Sequence, residues 1–471
     1  MLFLTVLWSL VIAIWIAIAV RHWKFGTIPV SYSIAGVVAV ICGSVFGYDF
    51  FHIPAPIPIT SDRLLIGILV FVFGCMVVRK RQRIQSLSAT DYSIYGLLAV
   101  LIGSALFTEY GYKNNLPISR FIFFYFLPAA LYFVVRNSDI KSFDLKVVSG
   151  LFVFFCVYLA LTGIAESRGW YGLVFPSYIS DPSVVEFLGR GRGPFLNPIS
   201  NGIFLTAGLA LALMMFFYCE GKLKWVFAAT VPILFLGNIT TLTRSVWLAA
   251  LVIVGAILWI KTTQKQKGAL LIAGTVAGIV LMAVLGGNLI NFKRDKHVSE
   301  NEMSQSAQLR PIFAVIAWDM FKDRPLLGCG FGQYNKYKPQ YLQSPYTELP
   351  LAKAKPYLQH NVFLSVLTET GIAGTAFLVW LIINGSLVGL RIYRHSNSSN
   401  WERAFAVTLI AIISSYCING MFHDVSIIPM ANLLMFYLLA INVSIDRHLQ
   451  DAYNRLLAFK VEHDRNLASA A

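Results

Sequence analysis

The chain has 471 residues, of which 57% are hydrophobic and only 13% charged, and it carries a formal net charge of +15. So little charge cannot cover the surface of a soluble domain of this length. An integral membrane protein is left, provided that the apolar residues come in runs near the ~20 that cross a bilayer.

They do. Thirteen candidate spans lie near 2–20, 29–48, 63–79, 91–107, 118–135, 147–165, 200–218, 225–242, 245–260, 268–287, 368–390, 403–421 and 426–445. Peptide groups inside lipid must be satisfied within their own segment, so each span is expected to be a helix. The expected fold class is therefore all-α: a polytopic membrane protein of about 12–13 transmembrane helices. The first run lacks a basic leader and is followed by Arg21-His-Trp-Lys24, which reads as a retained anchor.

Of the 38 Lys and Arg residues, 21 fall in alternate connections or the tail, among them Arg79 to Arg83, Arg391, Arg394 and Arg447. The short connections on the other side hold only Arg63, Lys113, Arg120 and Arg244. Excess Lys and Arg marks the cytoplasmic side. The N-terminus is thus expected outside and the tail inside. The positive charge is a topology signal and not a nucleic-acid surface. Five of the six cysteines, Cys42, Cys75, Cys156, Cys219 and Cys417, fall in spans or at an inner edge, and only Cys329 lies in an outer loop. That distribution supports no external disulfide framework.

Two outer segments are long, Glu166 to Ile199 and Asn288 to about Leu367. Loops of such length are uncommon unless they are functional. The chain accordingly divides into N-terminal helices 1–165, central helices with an Arg-rich outer loop 166–287, a large outer loop 288–367, C-terminal helices 368–445 and an inner tail 446–471. In the large loop, Ile312, Phe313, Val315, Ile316, Trp318, Met320 and Phe321 have helical spacing, and Pro311 fits the first turn of such a helix.

Four polar constellations follow in chain order. Gly189-Arg-Gly-Arg-Gly-Pro-Phe-Leu-Asn-Pro198 combines glycines that allow close approach with the forks of Arg190 and Arg192, and leads through Asn197 into a span. A basic turn at the headgroups is an equal reading of it. Arg244 sits in a tight turn between two spans on the side poor in basic residues, where a charge is a functional candidate and snorkelling is the alternative. Arg310 precedes Gly328, Gly330 and Gly332, which on spacing alone read as a flexible turn. His360-Asn361 stands directly before a span that carries Glu369. A neutral imidazole can take a proton from a sugar hydroxyl, although a lone histidine is more often an interfacial or capping residue. Glu369 either orients polar groups, pairs with an arginine, or marks the wet edge of its span. The chain has no H-E-x-x-H, no P-loop, no G-x-S-x-G and no Asp-x-Asp. Neither a metal site nor ATP hydrolysis is indicated by motif.

Taken together, Arg192-Gly-Pro-Phe-Leu-Asn-Pro198, Thr243-Arg-Ser245, Arg310 with Trp318 and Phe321 before Pro325-Leu-Leu-Gly-Cys-Gly-Phe-Gly332, and His360-Asn361 with Glu369-Thr-Gly-Ile-Ala-Gly374 resemble the O-antigen ligase and Wzy-type polymerase superfamily. The resemblance covers roughly the second half of the chain. It implies a C-type glycosyltransferase-like fold with a large helical periplasmic loop, in a bacterial inner membrane. It also implies transfer or polymerisation of an undecaprenyl-diphosphate-linked glycan at the periplasmic face, with no cofactor. The acceptor would be lipid A–core, a second lipid-linked repeat or another hydroxyl. Carried over, His360 would be the catalytic base, and Arg192, Arg244 and Arg310 would hold the diphosphate in one pocket. Asn197, Asn361 and Glu369 would assist in substrate binding. Ligases of this kind have twelve spans and an inside N-terminus, from which thirteen spans depart. A flippase for a lipid-linked oligosaccharide is the competing class. Transporters often carry repeats and helices broken at mid-membrane, whereas this sequence shows no repeat and its polar clusters lie at one edge.

Overall fold

The computed structural model describes residues 31–50, 52–53, 58–107, 117–268, 300–343 and 347–470. The expected spans 2–20 and 268–287, together with Arg21, Lys24, Lys113, Lys293, Arg294 and Lys296, lie outside these residues or almost wholly so. The described chain is helical throughout, apart from a single antiparallel bridge between Ile53 and Ile59.

The helices are α1 (Tyr32–Val45), α2 (Ser61–Val78), α3 (Ala89–Phe107), α4 (Pro117–Arg136), α5 (Ser142–Arg168), α6 (Pro198–Tyr218), α7 (Gly221–Thr240), α8 (Arg244–Lys261), α9 (Glu300–Asp323), α10 (Val362–Arg394), α11 (Asn400–Gly420) and α12 (Pro429–Ala470). Ten of these, all but α1 and α9, are long and apolar enough to cross a membrane. α4 contains a π-turn over Ile122–Phe126. α6 is the central helix, because every residue from Pro198 to Met215 is buried. α5, α7, α8 and α11 surround it, while α12 packs on α4 and α11.

The order of the helices separates two ends of the bundle. At one end lie Arg120, Arg244 and Asn361, which open α4, α8 and α10 or immediately precede them. At the other lie their partners in sequence: Arg136, paired with Asp91 at 2.8 Å; Arg391, paired with Asp446 at 2.6 Å; and Lys261, 3.7 Å from the ring centroid of Tyr218. The basic connections therefore gather at the end opposite the candidate site residues.

The outer-loop helix α9 starts at Glu300, so Pro311 lies in its interior and not in its first turn. Leu309, Ile312, Phe313, Ile316 and Met320 are buried with Cys329, Tyr334, Leu351 and Ala354, and this burial carries the helix through the proline. Trp318, counted among the apolar positions, instead stands exposed against Phe321.

The feature that joins the outer loop to the membrane helices is a break in α10. Gly371 has φ 62° and ψ −158°, a region open essentially to glycine alone. The backbone freed at the break pairs with residues 325–330. Ile372 and Ala373 N–H donate to the carbonyls of Pro325 and Leu326 at 2.8 and 3.2 Å, and Cys329 and Gly330 N–H donate to those of Thr368 and Glu369 at 2.8 and 3.0 Å. The two chains are so close that a Cβ on Gly371 would sit 2.5 Å from the carbonyl carbon of Leu326, and one on Gly328 2.5 Å from Thr370 N. Gly328 also has a positive φ of 69°. The glycine segment is thus a docked strap, not a flexible turn. Gly371→Ala and Gly328→Ala are each expected to destabilise the fold by more than the ~1–3 kcal/mol of a strained dihedral, since the backbone contact is lost as well. Melting of the detergent-solubilised variants and protease cleavage within 320–335 would measure this.

Candidate functional site

Arg192 begins the comparison of expected with observed positions. Its guanidinium is completely buried. Nε donates to Glu166 Oε1 at 2.7 Å, and the terminal nitrogens donate at 2.7 Å to the carbonyls of Val184, Glu186 and Ile179. The second carboxylate oxygen of Glu166 accepts the backbone N–H of Arg192 and of Gly193 at 2.9 and 3.0 Å. This guanidinium folds the first outer loop around itself, and the expectation that it shares a pocket with Arg244 and Arg310 is revised accordingly. Glu166 was read only as the boundary of a loop, because the pairing spans 26 residues and leaves no local pattern.

The loop so formed holds the turn before α8. Gly191 N–H donates to Thr240 O at 2.8 Å, and Arg190 donates to Thr241 O at 3.1 Å and Thr243 Oγ1 at 2.5 Å. Arg244 follows at once, exposed at the first residue of the helix. Arg310 from α9 is close enough to feel its charge. Burial first and then Arg244 hold the Arg310 guanidinium below the usual arginine range. Arg310 also lies 4.8 Å from the ring centroid of Phe422. His360 completes the group, edge-to-face with Phe313 at 5.5 Å between ring centroids. Desolvation first and then Arg310 hold its imidazole below the ordinary 6.5. The residue as a whole nonetheless remains exposed. Two like charges kept this near each other, on an exposed face, favour an anionic ligand.

The two asparagines have other tasks. Asn361 caps α10, its Oδ1 accepting from Phe363 and Leu364 N–H at 2.9 and 3.0 Å and its Nδ2 donating to Met421 O at 3.1 Å. Asn197 caps α6 in the same way, through Ile199 and Ser200 N–H at 2.9 and 3.0 Å. Both fix the start of a helix; Asn361 thereby fixes the neighbouring His360. Glu369 pairs with an arginine, but with Arg120 at 3.6 Å, and its other oxygen accepts Gly332 N–H at 3.0 Å. Arg120, Asp424, Tyr334 and Gln359 meet around Glu369 and were not singled out from the sequence. No motif connects residues this far apart in the chain.

The family described as O-antigen ligase matches residues 229–379. That stretch contains Arg244, Arg310, His360 and Glu369, and leaves out Arg192 and Asn197. An O-antigen ligase of Salmonella typhimurium is 24% identical over 267 residues, which cover 52% of this chain and 60% of that relative. Over residues 229–379 the chain is similar to the O-antigen ligase family. This similarity falls on the part of the chain in which α8, α9 and the start of α10 supply the exposed cationic group.

Removing Arg192 would leave the buried carboxylate of Glu166 without its guanidinium, and the carbonyls of Ile179, Val184 and Glu186, the first of them buried, without their donor. Arg192→Met is expected to cost about 3–5 kcal/mol and to lower the melting temperature of the purified protein. Arg244→Gln, at an exposed position, should leave melting near that of the parent. Equal melting of the two variants would contradict the division of roles.

Proposed function

We propose that the protein is a membrane glycosyltransferase that moves a glycan from a lipid diphosphate carrier to an acceptor hydroxyl. The carrier would be undecaprenyl diphosphate, and the acceptor lipid A–core or a second lipid-linked repeat. The reaction would take place at the periplasmic face of the bacterial inner membrane. The observation that carries the reading is the convergence of Arg244, Arg310 and His360, from three separate elements, on one exposed face.

The chemistry follows from the groups present. The acceptor hydroxyl gives its proton to the neutral imidazole of His360 as its oxygen attacks the anomeric carbon from the side opposite the carrier. The bond between that carbon and the phosphate oxygen breaks, and the carrier diphosphate leaves with the electron pair. Its growing charge falls to Arg244 and Arg310, whose planar forks suit phosphate oxygens. The anomeric configuration inverts. Because the proton leaves with His360 and the charge with the arginines, the step needs no further acid. Asn361 and Glu369 are positioning residues in this scheme, and Arg192 holds the loop that presents Arg244.

A base must be unprotonated, and burial together with Arg310 keeps the His360 pKa below 6.5. Transfer should therefore be lost as pH falls through a midpoint below that value. Arg310→Gln removes one of the two causes and should move the midpoint upward. With purified protein, lipid-linked donor and acceptor, His360→Ala should lower turnover by about 10²–10⁴ without loss of folding, and Arg244→Lys should weaken donor use. Near-normal transfer by His360→Ala would remove the base, and no new glycosidic product from the wild type would favour a carrier without covalent chemistry.

A further inference from the structure

Beside the Gln359–His360 segment lies a concavity of about 230 Å³ whose lining includes Gln359 but not His360. Its polar lining is Arg120, Tyr334, Gln359, Ser365, Glu369 and Asp424, over a floor that includes Phe124. His360 lies within electrostatic reach of Arg310, whereas Gln359 is buried and donates to Thr368 Oγ1 at 2.9 Å.

Three observations show what this cavity would take. The first is a donor held loosely at the wall. Tyr334 is only 3% exposed, and its hydroxyl has no partner at full hydrogen-bonding geometry, the Gln359 side chain being the group that pulls on it. A ligand oxygen that completes the bonding of such a weakly paired hydroxyl is favoured. The second is the balance of charge. One guanidinium faces two carboxylates, and it is already drawn to Glu369. Asp424 accepts from Ser365 Oγ at 2.8 Å and from Ser426 N at 3.2 Å and Ser426 Oγ, and burial lifts its carboxyl to about 6. Such a lining repels the phosphate groups that the Arg244–Arg310 face attracts. The third is the mixture of roles. Carboxylate oxygens accept, the tyrosine hydroxyl and guanidinium donate, and an aromatic ring offers an apolar surface. Adjacent hydroxyls on one sugar ring, with C–H bonds on its face, match that mixture.

We propose that this cavity is a subsite for one neutral, hydroxyl-rich monosaccharide unit. It rests on the glycosyltransferase reading for its purpose, as the place where a sugar of the glycan is held beside the reacting centre, but sugar binding itself can be observed without any transfer. Volume limits it to a single ring, since larger ligand sites are typically ~300–1,000 Å³.

The test is saturation-transfer NMR on the purified full chain in nanodiscs, with free glucose, galactose and N-acetylglucosamine as probes and inorganic phosphate as competitor. Saturable binding of at least one sugar is expected, with a dissociation constant on the order of 1–10 mM. It should persist in His360→Ala and Arg244→Gln. Tyr334→Phe, which removes a single oxygen, and Asp424→Asn should each weaken it about fivefold or more, with melting unchanged as the control for folding. No saturable binding up to several times that concentration would overturn the subsite. So would sugar binding indifferent to both Tyr334→Phe and Asp424→Asn, or competition by phosphate. Wild-type protein that binds sugar yet forms no glycosidic bond would leave the subsite standing and sink the transferase reading alone.

Discussion

A membrane helix that stops being helical must find partners for the peptide groups it releases, and the arrangement around Gly371 follows from that requirement. The partners come from the outer loop, whose residues 325–330 run beside 368–373 and exchange backbone hydrogen bonds with them. Only glycine fits at 328 and 371, one on each side of the contact. Once the strap is docked, Gly332 N–H lies at the carboxylate of Glu369, and the side chain of Arg120 lies over Phe331, 5.0 Å from its ring centroid. The loop is thereby bolted to α4 and α10 together. Helix α9, directly before the strap, can then bring Arg310 to His360 in a defined position rather than on a tether.

Charge in this protein is sorted by depth. Arg136 with Asp91 and Arg192 with Glu166 are buried ion pairs with side chains at most 1% exposed, each supported by backbone carbonyls. Such pairs contribute little net stability relative to apolar packing, but breaking one is severe. They act as fixed joints. Arg244 and Arg310 are on the surface and press against each other electrostatically. In the reading proposed above, that mutual repulsion falls when the carrier diphosphate binds. Exposure and the sign of the neighbouring charge therefore separate arginines that the sequence presents as equals.

This explains how far the sequence could be read. The spans were legible because a bilayer imposes length and composition on each one separately; the ten long helices and α1 each coincide with an expected run, although α12 continues to Ala470, through the segment expected as a separate tail. His360, Arg244 and Arg310 were legible because each breaks a local rule, as a polar residue at the edge of lipid or of a long loop. Arg192 broke the same rule for a different reason. Its partner Glu166 lies in α5, and nothing local distinguishes a guanidinium that closes a loop from one that waits for a phosphate. The cap roles of Asn197 and Asn361 were recoverable in principle, since each stands just before a helix, but the resemblance directed attention to binding. The cavity around Asp424 and Tyr334 had no signal at all, because its walls come from four separate stretches of chain.

The cap at Asn361 then has a meaning beyond the stability of α10. Its backbone is extended, with φ −157° and ψ 121°. In extended chain, successive side chains leave on opposite faces, and the residues just before it show this: Gln359 is buried in the lining of the carboxylate cavity and His360 is exposed within electrostatic reach of Arg310. One strand of backbone thus divides a cationic face from a cavity lined with carboxylates. A lipid-linked glycan has the same division along its length, anionic at the diphosphate and neutral at the sugars. Holding that segment rigid, through two hydrogen bonds to the helix start and one to Met421, would keep the two environments in register with the two parts of the substrate proposed above.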